Sequence, residues 1–566
     1  MSYELPKSLT VRGQRLQWRH GPLVSSDPLD TWQSLLQLKG LSETDAYFSP
    51  RLADLPDPDA MQDMAKAADR MAEAIRRGEK IHIFGDFDAD GVCGTAILTE
   101  ALRGAGAEVS SSIPHRADDG HGIGVEPVRE AHANGATLGV SVDTGTSCFE
   151  ACEEAAKLGF DLIVTDHHLP EATLPPAFAL LNPARVDCGF AERHLCGTGV
   201  AFFLLMAVWK RLRQPDLSLH YDLRTLLDRV AVATVADVMD LVGVNRILVY
   251  HGLARLNTEP SLGMAALMNV ARCSGKPVNA ETIGFYLAPR INAAGRMRHG
   301  EEAMLLLSTS DASQAEKLAA VLDESNRQRR QVEAEVFKQA EEKLGSSEVL
   351  AVFDPNWHAG VVGLAAGRLA RKHNRPAAVG FVTPDASIRV SLRGRPGYHI
   401  GELLNECSAC LEGFGGHAGA GGGTVRPDGW EAFVEAFGAA VEAQGRDMGR
   451  HQEVHIDGVI GLTAMHGGLA ERLKRFEPTG RGNPPCQWLV PEVTITDRKD
   501  LKGGVLRLQL SDGGGWQNAV VFGAGPLNEI LQPGVTLSVV GQLQLDEWRG
   551  NGAVQFVVAD VVEAAH

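Results

Sequence analysis

Ile81-His82-Ile83-Phe84-Gly85-Asp86-Phe87-Asp88-Ala89-Asp90-Gly91 joins a short apolar run to three acids at every second position. The apolar half predicts a buried strand, and a helix follows near Gly91–Ala105. In an extended chain alternate residues point the same way, so Asp86 and Asp88 share one side. Gly85 and Gly91 let the chain turn there and approach a ligand closely. Carboxylates this close repel one another unless something cationic holds them. An EF-hand loop is the rival reading, but the Glu of its twelfth position is missing. The plain alternative is a solvated acidic turn.

Two later stretches repeat the theme. Gly139-Val140-Ser141-Val142 leads into Asp143-Thr144-Gly145, and Leu162-Ile163-Val164-Thr165 leads into Asp166-His167-His168. Short apolar runs alternating with helical patterns predict βαβ units and a parallel sheet. Ligands bind at the carboxyl ends of parallel strands, so Asp86, Asp88, Asp143 and His167 are expected along one sheet edge. Ala231-Val232-Ala233-Thr234-Val235-Ala236-Asp237 adds one further acid after an apolar stretch, a position that also suits a helix cap. Mixed carboxylate and imidazole ligands favour a borderline cation such as manganese over calcium. Four acids and a histidine suffice for two ions roughly 3.5–4 Å apart, an arrangement that serves phosphodiester hydrolysis.

The rest of the chain reads as further compact parts. An amphipathic helix is expected over Met61–Arg76, and helical regions over Gly199–Arg213 and Leu223–Leu253. Arg290, Asn292, Arg296 and Arg298 cluster in a stretch expected to be turn-like. Ala312 to Leu344 is charged, helical and free of Gly and Pro, which predicts a connecting helix; a coiled-coil arm is the alternative, with too few apolar heptads. A second α/β region follows: a strand at Val349–Phe353, a helix at Gly360–Lys372, a strand near Ala377–Val382 and the glycine-rich Gly413–Gly423. Those glycines lack the spacing of a dinucleotide loop. From Val454 onward five strands are expected, Val493–Thr496, Val505–Leu510, Ala519–Phe522, Val535–Val540 and Val554–Val558, with a helical piece at Pro526–Leu531. That set suits a small oligonucleotide-binding (OB) barrel.

Composition excludes some classes. The 566 residues are 44% hydrophobic, enough for several domains. A net charge of −17 argues against a general DNA coat, so any positive potential must be local. The nine cysteines are scattered; Cys407 and Cys410 form one CxxC, but no second pair with zinc-ligand spacing lies nearby, which indicates plain thiols and a reducing compartment. Met1–His20 has no apolar core of a signal peptide, and the apolar run Gly199–Trp209 is too short to span a bilayer. A cytoplasmic protein without membrane attachment is expected.

Gly85–Gly91, Asp143–Ser147, Asp166-His167-His168 and Thr234–Asp237 resemble the four successive motifs of the DHH phosphoesterase superfamily. Further stretches resemble its bacterial single-stranded-DNA exonucleases. They are Pro114-His115-Arg116 with Gly120–Gly124, Cys196–Val200, Ala288-Pro289-Arg290-Ile291-Asn292-Ala293-Ala294-Gly295-Arg296, Trp357–Val361 and Gly415-Gly416-His417. The likeness runs in order over roughly residues 50 to 560. It implies an α/β fold made of a DHH-type parallel-sheet domain, a long connecting helix, a smaller α/β DHH-associated domain and a C-terminal OB-type β-barrel. The corresponding spans are 76–311, 312–345, 346–453 and 454–566, after a leading segment, 1–75, that packs on the DHH domain.

The resemblance implies a 5′-to-3′ exonuclease releasing 5′-mononucleotides from single-stranded DNA. Asp86, Asp88, Asp143, His167 and Asp237 would hold two manganese ions, with magnesium as the alternative, and His168 would join them in catalysis. Arg116, Arg290, Asn292 and Arg296 would line the DNA cleft. Ser391 and Arg393, with Gly416 and His417, would take the 5′ phosphate; the forked arginine suits that geometry. Trp548 and Arg549 read as an aromatic-cationic hairpin tip suited to base stacking, with a plain turn as the equal alternative. A monomer is expected, working with a single-strand-binding protein and a helicase in mismatch repair and recombination. Two alternatives are a relative acting on oligoribonucleotides or cyclic dinucleotides, and a non-catalytic replication scaffold. Two departures stand out. Phe84 occupies a position where many relatives carry a metal-binding His, which predicts a weaker metal site. Gly421 replaces a usual Ala, which predicts looser packing.

Overall fold

The computed structural model describes residues 3–25, 27–114, 122–212, 221–426, 428–446, 452–546 and 549–563. The chain forms two units: Arg51–Asp447 with Gly480–Asn483, and Met1–Pro50 with Met448–Thr479 and Pro484–His566.

The larger unit begins with a parallel five-stranded sheet in the order Glu108–Ser112, Lys80–Gly85, Ala136–Val142, Asp161–Thr165, Ala179–Leu181. Helices Ala89–Gly104, Val125–Ala133 and Phe149–Leu158 make the crossovers. The strands read as near-continuous apolar runs because both faces are covered. Ile81, Ile83, Leu138 and Val140 pack against Met64, Ala68 and Met71 of the Met64–Arg77 helix. On the other face Phe84, Leu162 and Val164 meet Val128, Ala151 and Phe160. The edge strands Glu108–Ser112 and Ala179–Leu181 are not expected from the sequence; the first is too polar and the second too short to show a period.

The stretch from Arg290 to Arg298 is not the expected turn, because Ala288–Met297 is a helix. Pro289 sits in its first turn, where a missing N–H costs nothing, and a π-helical turn, Ile283–Leu287, precedes it. The connecting helix spans Ala312–Leu344, begins at an Asp311 cap and stops at Gly345, φ +53°. Its 33 residues reach about 50 Å.

Beyond it lies a second five-stranded sheet, ordered Leu411–Gly416, Ala420–Val425, Ile388–Arg393, Ala377–Val382, Ala351–Phe353. Only the last pair is parallel. The glycine-rich stretch is thus an antiparallel edge hairpin. Gly421 does not loosen it: a Cβ there would lie 2.5 Å from Leu404 Cδ1 and 3.0 Å from the Gly415 carbonyl. Glycine is the residue that fits this close approach.

In the smaller unit Trp488–Leu501, Val505–Ser511, Trp516–Val521, Val554–Glu563 and Thr536–Leu545 close into a barrel, with the first and second strands also paired. A short helix, Leu527–Ile530, lies between the third and the last-named strand. The leading segment expected over residues 1–75 divides between the two units after Pro50. Residues 1–50 belong with the barrel: Gln14–Trp18 pairs with Gln452–Ile456, and Trp32 is fully buried beside Phe476, ring centroids 5.4 Å apart. A tryptophan of that apolar area takes the core that offers it ring contacts. None of the nine cysteines is disulfide-bonded, and no described helix is long and apolar enough to cross a membrane.

Candidate metal centre

Three adjacent parallel strands end side by side and each hands over its acid or imidazole. Asp86 and Asp88 follow Lys80–Gly85, Asp143 follows Ala136–Val142, and His167 follows Asp161–Thr165. Asp237 arrives from elsewhere, as the C-cap of helix Leu227–Ala236. His167 Nε2 lies 3.0 Å from Asp143 Oδ1, 3.5 Å from Asp237 Oδ2 and 3.9 Å from Asp90 Oδ2. Ligand atoms of Asp86, Asp88 and Asp143 converge within 4.8 Å of one another, as do those of Asp90, His167 and Asp237, and of Asp143, His167 and His168. Asp143 therefore belongs to two overlapping groups.

The backbone is strained where these groups are delivered. Asp143 has φ +61°, and Val238, just past Asp237, has φ +56°. A β-branched residue there is an outlier that the surroundings must impose. Glycines make room: a Cβ on Gly91 would fall 2.5 Å from Asp86 N, and one on Gly197 2.6 Å from Asp143 Cα.

Electrostatics test whether a cation fits. Burial, then the neighbouring acids Asp90, Asp88 and Asp86, push the Asp143 carboxyl well above its ordinary range. Asp88 is raised by burial and by Asp90. Asp237 is pushed up to about 8 by burial, then by Asp90 and Asp88. Burial lowers His167, keeping its imidazole neutral. Among the described residues Asp143 Oδ1 and Asp237 Oδ2 are buried with no hydrogen-bond donor. Buried carboxylate oxygens without donors, beside a neutral imidazole, are a donor set for divalent cations. The residues fit the group.

Two acids that the sequence reading passed over organise the site. Asp90 accepts the N–H groups of Gly197 (2.6 Å) and Thr198 (2.8 Å) at the start of helix Gly197–Leu212. Asp166 accepts from the N–H of Thr146 (2.9 Å) and His167 (2.7 Å) and from His168 Nδ1 (2.7 Å). Burial works against the Asp166 charge, yet His168 and Thr146 hold the carboxyl well below the usual range. In return that bond raises His168 to about 9, so this half-exposed ring is a cation at neutral pH.

The DNA-binding candidates divide. Asn292 Oδ1 accepts from the Ala89 N–H at 2.8 Å, and Gly295 packs on the Phe87 carbonyl, so this helix braces the acidic turn. Arg290 is committed to Asp323 on the connecting helix, Nε at 2.9 Å and Nη2 at 2.8 Å, and to the Tyr286 carbonyl. Arg296 donates to the Gly360 carbonyl at 3.2 Å. Ser391 and Arg393 lie on one side of their strand, facing Gly363, where a Cβ would be 2.9 Å from Arg393 Nη2 and 3.4 Å from Ser391 Oγ. Gly416 ends the edge strand, and His417 follows it. Burial, then the charges of Arg393, His399 and His168, lower His417, so the Arg393–His417 cluster lies within electrostatic reach of His168. Arg549 sits on a turn bonded to Asp546. Arg116 and Trp548 fall outside the described residues.

Family profiles match three stretches: the DHH family, N-terminal domain, over residues 80–234; the DHHA1 domain over 346–443; and the RecJ OB domain over 456–560. The chain is 32% identical over 541 residues to the single-stranded-DNA-specific exonuclease RecJ of Bacillus subtilis, covering 93% of this chain and 67% of that one. It is 33% identical over 524 residues to the protein of that name from Escherichia coli, covering 88% and 89%. Among solved structures, RecJ from Thermus thermophilus in complex with Mn2+ matches with a TM-score of 0.78 at 30% identity, covering 98% of this chain and 80% of that one.

Proposed function

The chain belongs to the RecJ family of single-stranded-DNA-specific exonucleases, and from that premise we propose that it removes nucleotides from the 5′ end of single-stranded DNA, releasing 5′-mononucleotides in a metal-dependent hydrolysis. The observation that carries the reading is the convergence of two ligand groups on the shared Asp143 at the carboxyl edge of the sheet. Asp86, Asp88 and Asp143 would hold one divalent ion; Asp143, His167 and Asp237, with Asp90 alongside, the other. Manganese suits this carboxylate–imidazole set, with magnesium as the alternative. Bound ions supply Lewis-acid activation of water and neutralise charge at the phosphoryl oxygens.

The remaining work falls to the chain itself. Asp166 accepts from the Nδ1–H of His168, which orients the ring and keeps it protonated, so its Nε2–H is available to the phosphoryl group beside the acids. Asp90 and Asn292 hold the acidic turn from opposite sides. Arg393, Ser391, Gly416 and His417 form the reader of the terminal phosphate, while Arg116, Arg290 and Arg296 line the path of the strand. Trp548 and Arg549 of the barrel would add stacking and charge. The enzyme would act as a cytoplasmic monomer alongside a single-strand-binding protein and a helicase, in DNA repair and recombination.

The test is one panel with manganese: labelled single-stranded DNA, blunt duplex, RNA and a cyclic dinucleotide. Rapid shortening of the single strand from its 5′ end alone is expected. Preference for RNA or the cyclic dinucleotide would replace this reading with that of the superfamily's other phosphodiesterases.

A further inference from the structure

The inward face of the connecting helix is apolar at both ends and polar in the middle. Leu322 is buried in the core of the first α/β half, and Val336 and Ala340 in the core of the second. At helical spacing between them, on the same face, come Ser325, Asn326 and Arg329. Asn326 is only 4% exposed, and its Oδ1 has no hydrogen-bond partner. Arg329 is half-buried, and among the described residues its buried Nε has no acceptor. Glu333, one turn on, is felt electrostatically, yet no described carboxylate comes within ion-pair distance. Burial pulls the Arg329 pKa down, the mark of a desolvated cation without adequate compensation.

A half-buried guanidinium held in no ion pair is costly unless an anion completes it. The register says which anion can reach it. Helix Ala288–Met297 runs alongside, with Arg290 bonded to Asp323 at one end, while Met297 and Val332 both pack on the core of the second half. Arg329 lies between Asp323 and Val332 on the connecting helix, and the neighbouring helix carries Gly295, which touches the Phe87 carbonyl of the acidic turn, and Arg296, which reaches Gly360 of the second half. Arg329 thus shares its stretch of the fold with a helix that touches both the acidic turn and the second half.

We infer that Arg329, with Asn326 beside it, is a phosphate-contact site on the connecting helix that takes an internal phosphodiester of the bound single strand. This rests on the exonuclease reading above and adds a residue to it. A flip of the Asn326 amide would turn its N–H toward the same group.

The test is equilibrium binding of a labelled 5′-hydroxyl oligothymidylate in EDTA, where no hydrolysis occurs, across a salt series. Wild type, Arg329→Gln and Arg329→Lys are compared, with thermal melting of each. Arg329→Gln should bind about 5–10-fold more weakly near 0.1 M salt, and its log K against log salt slope should be shallower by about 0.7, one phosphate's worth for a single strand. Arg329→Lys should restore the slope. The Gln variant should melt at or above the wild-type temperature, because it removes an uncompensated cation. Unchanged affinity and slope would overturn the inference. So would weaker binding with an unchanged slope and a lowered melting temperature, which marks a packing role. A defect confined to competition by thymidine 5′-monophosphate would move the site to the end-reading pocket and overturn it as well. If wild type itself fails to bind the oligonucleotide, the exonuclease reading falls too; if wild type binds and Arg329→Gln binds equally, only the inference falls.

Discussion

Asp143→Asn is the sharpest probe of the centre. The change keeps the side-chain shape, and asparagine tolerates the φ of +61° that the backbone demands. What it removes is the charge that both ligand groups share. Two consequences separate. In EDTA the variant should be at least as stable as wild type, because the Asp143 carboxyl is buried among Asp90, Asp88 and Asp86 with its pKa driven up, and an amide does not repel them. With manganese, wild type should gain stability by RT ln(1 + [L]/Kd), about 2.7 kcal/mol at a hundredfold excess over Kd, and the variant should lose most of that gain. Turnover should fall by at least about 10²–10³-fold, the usual loss when one group stabilising transition-state charge is removed. The assays are hydrolysis of a 5′-phosphorylated single strand and thermal melting with and without manganese. A variant that keeps more than a few per cent of activity, or the full manganese-dependent rise in melting temperature, refutes the shared-ligand geometry.

Gly197→Ala should weaken manganese binding without touching a ligand, because the new Cβ lies 2.6 Å from Asp143 Cα and must displace it; titration with manganese followed by melting reads this. Arg393→Ala should lose most of the preference for 5′-phosphate over 5′-hydroxyl ends, about 1.5–3 kcal/mol for a charged hydrogen bond, and an unchanged ratio of rates on the two substrates would make it a mere neutraliser. His82, lodged between the hydroxyls of Ser110 and Ser112 at 2.9 Å each, has its pKa lowered to about 4 by burial and then by Lys80. A depressed histidine pKa gives stability that is complete above the unfolded value near 6.5 and drains away as pH falls towards 4, so about 2 kcal/mol should be gone at pH 5. Urea unfolding at pH 7.5 and 5 should show that loss, and His82→Gln should show a smaller one.

How far the fold could be read beforehand depended on whether an element carries its own period. Ala312–Leu344 and Ala377–Val382 stand where the pattern put them, and the five barrel strands appear with shifted ends, the first as the longer Trp488–Leu501 and two others without the expected Phe522 and Val535. Each has an apolar face long enough to display its repeat. Glu108–Ser112 does not: it has one buried residue, Val109, and is a strand because Lys80–Gly85 offers it a partner. The same holds for residues 1–50. Gln14–Trp18 is placed by a strand more than four hundred residues away, information that no local window contains.

The site shows the same division. Asp86, Asp88, Asp143 and His167 were legible because each follows a strand, and strand ends in a parallel sheet have one place to point. Asp90 and Asp166 were quoted in the motifs and yet passed over, because their work is to accept N–H groups. Asp90 had a usable signal, since the helix opening at Gly197-Thr198 needs acceptors for its first amides and its own residues offer only the weak Cys196 thiol, which takes the Gly199 N–H. Phe84 shows the limit of reading one position alone. A missing histidine suggests a weakened metal site. Its ring instead packs edge-on with Phe160, centroids 6.4 Å apart, in a pocket where Gly139 leaves no room for a Cβ. The core behind the sheet has taken over that position, while the acids in front still converge through Asp143. A weaker metal site therefore remains the expectation for Phe84, beside an acid, Asp143, that serves both ligand groups.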